Sequence, residues 1–389
     1  MSDNFLALLE NINPAEATAD RIYAGDGTSV SRIAKRSANA PQYLKRLNEV
    51  KNLIQDVVEG RKHPYHIIEE AQSTSDFPLL FGDIIDRSLL GAYAQWPSVW
   101  ASIARRGRRR DFRVGKAFTL DGANGVLPQV KQGAPYLNAA LTDGEYSYAV
   151  SKYGRTLGLL WEALVNDDLD AFAMIPTALA QAARETENRF FTELLVDSSG
   201  PDATFFSTSN GNKAGTAAAL SLDTLQAAIS AMQAQKDSEG NPIFTGTVRL
   251  MVPPALDATA TNIVSASQII TSPGATTGQQ VVTGNWAASK VAEVVGNPWL
   301  PIVDTTSGNK AWYLFADPGI GRPALEMGFL TGHESPEVFM KAPNMIRVGG
   351  GAVGAEDGDF ETDGIGYKVR HVLGGTLMDP KAAYVNVGV

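Results

Sequence analysis

The sequence predicts an α+β protein, in which helices and strands occupy different stretches of the chain. Three observations support this class: helical patterns before residue 105, an alternating strand pattern that begins at Asp111, and one long helical pattern from Asn166 to Val196. Short strand-like runs return in the last third, and no repeat of fixed period occurs. We therefore expect helices and strands that are segregated along the chain, without a repeat architecture.

Length and composition indicate a folded chain with more than one domain. The chain has 389 residues, which allows about two or three domains. Hydrophobic residues make up 44% and charged residues only 19%, a balance that excludes disorder. There is no cysteine, which excludes disulfides, thiolate metal sites and a cysteine nucleophile. The N-terminus lacks a signal-peptide pattern and the uncharged stretch 258–289 is too polar to span a bilayer, so we expect a cytosol-made protein with no membrane partner.

The net charge of −9 is unevenly distributed. Residues 1–110 carry 15 basic and 13 acidic side chains, whereas residues 111–389 carry 18 and 29. The basic excess is concentrated in one cluster: Arg105, Arg106, Arg108, Arg109 and Arg110. Two interpretations stay open, a contact with nucleic-acid phosphates or an acidic neighbour, and a solvated helix end whose dipole favours cations.

The first element patterns are helical. Apolar residues recur at steps of three and four over residues 43–58, which predicts an amphipathic helix. A second helical pattern runs from Asp83 to Ile103 and is interrupted by Pro97.

A long hairpin is predicted next. The run from Phe112 to Leu120 has an extended pattern, and Tyr146 to Val150 restores alternation that leads into Leu160. About 20 loosely patterned residues separate the two strands. A hairpin of this kind has too little core of its own to be stable, so we expect it to lie on another subunit.

The long helical pattern from Asn166 to Val196 should be kinked or restarted at Pro176. A connection over residues 197–220 follows, then a helix from Leu222 to Gln235 and a buried strand from Val248 to Val252. Further strand-like runs are predicted at Ala292–Val295, Trp312–Phe315, Leu325–Leu330, Glu361–Val372 and Ala383–Val387.

The motifs that carry chemistry are incomplete. There is no G-x-S-x-G elbow and no phosphate-binding Gly-Lys-Ser/Thr loop. His333-Glu334 starts like a zinc-protease motif, but Glu337 stands where the second histidine is needed. The glycines of 349–354 have dinucleotide-motif spacing but lead into an acidic, turn-rich stretch that would repel a pyrophosphate. We therefore predict no catalytic, cofactor-binding or metal-ligating residue, and no cofactor.

Several stretches resemble the major capsid proteins of tailed bacteriophages with the Hong Kong 97-type fold, in particular the Mu-like head-subunit branch. The resemblance spans residues 73–388 and lies in the serial order of many weak motifs. They are STSDFPLLFGDIIDRSLLGAY (73–93), LLWEALVNDDLDAFAMIP (159–176), VRLMVPPALDATA (248–260), WYLFADPGIGRPALEMGFLTG (312–332) and FETDGIGYKVRHVLGGTLMDPKAAYVNVG (360–388).

The resemblance implies five parts of the chain. They are an N-terminal helical arm (1–110), an extended loop formed by the long hairpin (111–155), a peripheral domain with a spine helix at about 167–196 (156–214), an axial domain (215–325) and returning strands of the peripheral domain (326–389).

The resemblance also implies a function and partners. The protein would be a structural capsid protein, not an enzyme, that self-assembles from hexamers and pentamers into an icosahedral shell around double-stranded DNA in the virion, after synthesis in the bacterial cytoplasm. Portal, scaffold and decoration proteins would be further partners, and the arginine cluster would face DNA or a subunit seam. Two alternatives remain open: a capsid-associated hydrolase or protease domain, and a DNA-binding structural protein that acts through the arginine cluster.

Overall fold

The chain forms two compact units, each built from separate stretches of sequence. This computed structural model describes residues 22–23, 29–30, 89–121, 129–130, 132, 142–160, 169–237, 240–243, 245–271, 281–320, 322–341, 344, 348, 360–361 and 364–389. The first unit comprises 1–97, 152–186 and 332–372, and the second comprises 98–151, 187–331 and 373–389. The helix predicted over 43–58 and the glycine motif of 349–354 lie outside the described residues.

The first unit packs two helical segments on a sheet. Helix α1 covers residues 89–95 and ends before Pro97, where the sequence predicts the interruption. The helical pattern predicted from there to Ile103 is wrong, because those residues form turns. Helix α2 is Leu169–Leu195, and its residues up to 186 belong to this unit. The core lies between these helices and the inner face of the sheet, and its buried residues are Leu89, Leu90, Tyr93, Leu179, Ala180, Ala183, Tyr367 and Val369.

Helix α2 is one continuous element of 27 residues and passes through Pro176 without a restart. Of the two outcomes predicted at Pro176, the restart is therefore excluded and the kink remains a prediction, while the long helix itself is confirmed. Three strands of a five-stranded sheet lie mainly in this unit, and among them β16 pairs with both β6 and β15. These strands are β6 (Ser151–Leu160), β15 (Glu337–Met340) and β16 (Gly364–Leu377).

The second unit contains a four-stranded sheet with the order β12-β9-β13-β17. Strand β9 runs parallel to β12 and antiparallel to β13, which also pairs antiparallel with β17. Strand β13 is completely buried, as its unbroken apolar sequence predicts. The strands are β9 (Val248–Val252), β12 (Val291–Gly296), β13 (Trp312–Ala316) and β17 (Ala383–Asn386).

Helix α3 (Leu222–Gln233) confirms the helix predicted in this unit, and helix α4 (Pro254–Ser265) was not predicted. Helix α3 begins at a capping box in which Ser221 and Thr224 bond to each other's backbone N–H groups. Two short helices, α5 (Ala287–Lys290) and α6 (Leu300–Val303), and two 3₁₀ turns, Pro318–Ile320 and Pro380–Ala382, complete the helical elements of the described residues.

A second ladder of this unit is organised by strand β14 (Leu325–Leu330), which is buried along its whole length. It pairs antiparallel with residues 373–377 of β16 and parallel with β3 (Arg105–Arg109). The predicted hairpin is confirmed, because β4 (Gly115–Asp121) and β5 (Thr142–Tyr148) pair antiparallel over seven rungs.

The remaining described strands form short two-stranded pairs. They are β1 (Ile22–Tyr23) with β2 (Ser29–Val30), β7 (Val196–Asp197) with β8 (Gly200–Pro201), and β10 (Gln268–Thr271) with β11 (Val281–Gly284). Within the part of the chain that the structure describes, no helix has the length and apolar character that crossing a bilayer requires.

Candidate assembly site

Four of the five arginines of the cluster lie on strand β3, which is the last strand in the order of its described sheet, and not at a helix end. Residues 105–109 form β3, whose central Gly107 faces Gly328 of β14 in parallel register. The interpretation of the cluster as a solvated helix end is therefore wrong. A run of arginines has little strand preference by itself, so the pairing with the buried apolar strand β14 determines its conformation.

The carboxylate of Glu326 lies at the centre of this cluster. Glu326 is 5% exposed, although it is part of an otherwise apolar strand. Its Oε2 accepts a hydrogen bond from Arg105 Nε at 2.7 Å, and its Oε1 accepts one from the Tyr148 hydroxyl at 2.5 Å. Arg109 Nη2 lies 3.6 Å from Oε1. The buried charge is thus paired with two cations, which is the condition under which a carboxylate is tolerated inside a protein.

Tyr148 connects the hairpin to this carboxylate, because it is the last residue of β5. Burial, followed by the hydrogen bond to Glu326, raises the pKa of the Tyr148 hydroxyl above its ordinary value of 10.0. The hydroxyl therefore stays protonated and donates its hydrogen bond across the neutral pH range. The guanidinium of Arg109 lies 3.9 Å from the centre of the Tyr148 ring, a cation–π contact that holds the ring from its other side.

A pair of glycines makes room for these side chains. A Cβ atom on Gly107 would lie 2.6 Å from the Tyr148 hydroxyl, and one on Gly328 would overlap the same side chain. Because Gly107 and Gly328 are direct register partners, the two strands together leave a flat surface on which Tyr148 and Glu326 lie. We infer that both positions require glycine for close approach.

Arg106 also makes contacts within the second unit, with two aromatic rings. Its guanidinium lies 4.5 Å from the ring centre of Phe329 and 5.9 Å from that of Trp100. Trp100 is itself buried and donates from Nε1 to Glu187 Oε2 at 2.8 Å. The stem of Arg106 therefore contributes packing as well as charge.

The two other arginines of the cluster, Arg108 and Arg110, are exposed. The five predicted site residues are thus divided: Arg105, Arg106 and Arg109 contact Glu326, Tyr148 and the aromatic rings, whereas Arg108 and Arg110 face outward. The sequence did not indicate Glu326 or Tyr148. One weak indication was present, a single carboxylate within the apolar run LEMGFL of β14.

The chemistry of this site is structural. Each described contact of Glu326 joins one backbone segment to another: Arg105 and Arg109 belong to β3, and Tyr148 belongs to the hairpin. Among the residues that the structure describes, no group of three His, Asp or Glu side chains could hold a metal ion. The described contacts of Glu326 thus define a structural site that anchors the hairpin to β3 and β14.

The family comparison identifies which structural protein this is. The model of the phage capsid protein family matches residues 144–386, more than half of the chain, so the chain belongs to that family. The predicted role as a capsid protein that forms the phage shell is confirmed by this match, and the α+β class is confirmed by the described helices and strands. The Hong Kong 97-type fold remains a prediction. The family is structural and belongs to the virion shell. Assignment to the Mu-like branch remains a prediction.

Solved structures with similar folds share little sequence with this chain. A virus-like particle from Pyrococcus furiosus is 11% identical, with 78% of this chain and 98% of that chain covered at a TM-score of 0.43. The structure from Gordonia phage Cozz is 15% identical, with 73% of this chain and 83% of that chain covered at a TM-score of 0.39. The structure from Mycobacterium phage Che8 is also 15% identical, with 76% of this chain and 94% of that chain covered at a TM-score of 0.40. No curated protein sequence matches the chain significantly.

Proposed function

We propose that this capsid protein assembles as hexamers and pentamers into a shell around the double-stranded DNA genome of a tailed phage, and that the β4–β5 hairpin makes an essential contact between subunits. Portal, scaffold and decoration proteins would be its further partners, and the chain would act without catalysis after synthesis in the bacterial cytoplasm. The five ranges predicted from the sequence, from the arm of 1–110 to the returning strands of 326–389, are part of this proposal.

The proposed role of the hairpin is supported by its lack of a neighbouring strand among the described residues. Strands β4 and β5 form a sheet of only two strands, and no third strand joins them among the described residues. Seven residues of antiparallel strand extend about 24 Å. A two-stranded hairpin is at best marginally stable in water, so it needs a partner surface, and the assembled shell provides one.

The hairpin is attached firmly at its base. Tyr148 at the end of β5 bonds to the buried Glu326, and Arg109 Nη1 donates to the backbone carbonyl of Lys116 in β4 at 2.9 Å. The start of β4 and the end of β5 are therefore both bonded to other parts of the second unit. A fixed base directs the hairpin toward a neighbouring subunit and lowers the entropy that is lost when it binds.

The test is assembly of a variant with a shortened hairpin. Residues 122–141, which connect the two strands, are replaced by a short Gly/Ser link, and particles are observed by negative-stain microscopy and sedimentation. We expect closed particles from the wild type, and a folded subunit without closed particles from the shortened variant. Lys116→Gln is the control within the hairpin, because its ion pair with Glu145 is exposed and contributes about 0–1 kcal/mol.

Two results would contradict the proposal. A wild-type protein that stays a monodisperse monomer at high concentration, with and without scaffold, would remove self-assembly as its function. Closed particles from the shortened variant would leave the capsid function intact and remove the hairpin's role. No observation on the described residues favours the hydrolase or protease alternative.

A further inference from the structure

The turn between β3 and β4 has a fixed backbone and exposed side chains. It covers residues 110–114, and its two ends are held by hydrogen bonds. The carbonyl of Arg109 accepts from the backbone N–H of Thr331 at 2.8 Å and from its hydroxyl at 3.0 Å. On the other side, Arg109 Nη1 donates to the carbonyl of Lys116 at 2.9 Å. One residue, Arg109, thus fixes both ends of the turn.

The middle of the turn is also ordered locally. The side chain of Asp111 accepts from the backbone N–H of Arg113 at 3.2 Å, the pattern of an Asx turn. This short loop therefore has few conformations to lose when it binds a partner.

The side chains of this turn combine positive charge with exposed apolar surface. Arg110 and Arg113 are exposed, and the apolar Phe112 and Val114 are 53% and 69% exposed. Asp111 is the one acid among these five residues, so the turn has a net positive charge. An exposed aromatic side chain flanked by arginines is typical of the contact surface of a protein–protein interface, in which Phe and Arg are enriched.

We propose that the turn of residues 110–114 is an interface between subunits, and that it binds an acidic surface of a second copy of this chain. The inference rests on the proposed self-assembly. Charge complementarity supports this occupant, because residues 111–389 contain 18 basic and 29 acidic side chains. A second copy therefore offers an excess of acidic side chains to a basic turn.

The apolar residues distinguish this occupant from DNA. Duplex DNA binds such a turn through phosphates, which pair with Arg110 and Arg113 and leave Phe112 and Val114 in water. A protein surface uses both kinds of group, since it can bury the two apolar side chains while its carboxylates pair with the arginines. The outward-facing part of the arginine cluster therefore serves the subunit seam.

The experiment compares substitutions of opposite kinds at the same positions. Arg110→Glu/Arg113→Glu reverses the charge, and Arg110→Lys/Arg113→Lys retains it. Phe112→Asp removes the apolar contact, and Phe112→Leu retains it. The three side chains that these four variants replace are all exposed, so thermal unfolding of the unassembled subunit should stay within a few degrees of the wild type. Assembly is followed by light scattering, and binding to a 30-base-pair duplex by fluorescence anisotropy.

We expect the Glu/Glu and Phe112→Asp variants to assemble at least tenfold more slowly than the wild type, and the Lys/Lys and Phe112→Leu variants to assemble within about threefold of it. Assembly of the Glu/Glu and Phe112→Asp variants at the wild-type rate would overturn the inference while the proposed function stands. So would a defect of the Glu/Glu variant that is confined to DNA binding. If the wild type itself fails to assemble, the proposed function and this inference are both wrong.

Discussion

Replacement of Glu326 by alanine tests whether the buried carboxylate holds β3 and the hairpin in place. The substitution removes the hydrogen-bond acceptor of Arg105 and of the Tyr148 hydroxyl, and the ion-pair partner of Arg109. Removing one partner of a buried ion pair costs about 3–5 kcal/mol. The Arg105 side chain is 33% exposed and regains hydration, so we expect the lower end of that range, about 3 kcal/mol.

The measurement is guanidinium unfolding of the unassembled subunit, followed by tryptophan fluorescence. The matched control is Glu193→Ala, whose ion pair with Arg189 is exposed on helix α2 and should contribute about 0.5 kcal/mol or less. We also expect Glu326→Ala to close fewer particles, because the hairpin loses its attachment. A loss of stability below about 1 kcal/mol, no larger than that of the control, would refute the argument that this carboxylate anchors the two segments.

Three further predictions concern the packing and capping of the second unit. Gly328→Ala should lower the free energy of unfolding by about 1–3 kcal/mol, because its Cβ would overlap Tyr148. Gly215→Ala is the control and should have little effect, because its Cβ would meet no atom within 4 Å. Equal effects of the two substitutions would contradict the close approach of Gly328 to Tyr148. Because the pKa of Tyr148 is raised in the folded chain, the unfolded chain releases this proton first as the pH rises above about 10. The free energy of unfolding of the wild type should therefore fall more steeply with pH, up to about pH 11, than that of Tyr148→Phe. Equal slopes of the free energy against pH would contradict the raised pKa. Ser221→Ala removes the capping box of α3 and should cost about 1 kcal/mol in the same unfolding assay, and an unchanged midpoint would show that the cap contributes nothing.

Elements with a strong local pattern could be predicted from the sequence. Strands β9, β13 and β14 are short apolar runs bounded by turn residues, and helix α3 has both its cap and its amphipathic spacing within 15 residues. The continuous helix through Pro176 and the helix of Pro254–Ser265 show the limits of local rules. In the first, the helix continues through a proline that lacks the backbone N–H of the regular hydrogen-bond pattern. In the second, proline at the first helical position starts a helix that alanine and threonine continue.

The candidate site could be predicted only in part. The charge of the arginine cluster is evident from sequence, but its conformation depends on a strand more than 200 residues away, because Arg105 and Glu326 are separated by 221 positions. Tyr148 and Glu326 are separated by 178 positions. No local pattern contains information about pairings at such distances. The division of the five arginines into inward and outward sets therefore required the structure.

The same long separation has a consequence during synthesis. The ribosome completes the hairpin at Tyr148 long before it reaches Glu326, and at about 5–20 residues per second the intervening 178 positions take roughly 9–36 s. Throughout that interval the hairpin has no acceptor for Tyr148, so its base cannot take its final position. If the hairpin has the proposed role, a nascent or truncated chain that ends before β14 cannot present a correctly oriented hairpin to another subunit. Because Glu326 is synthesised late, only chains whose translation has passed β14 contain the residue that anchors the hairpin.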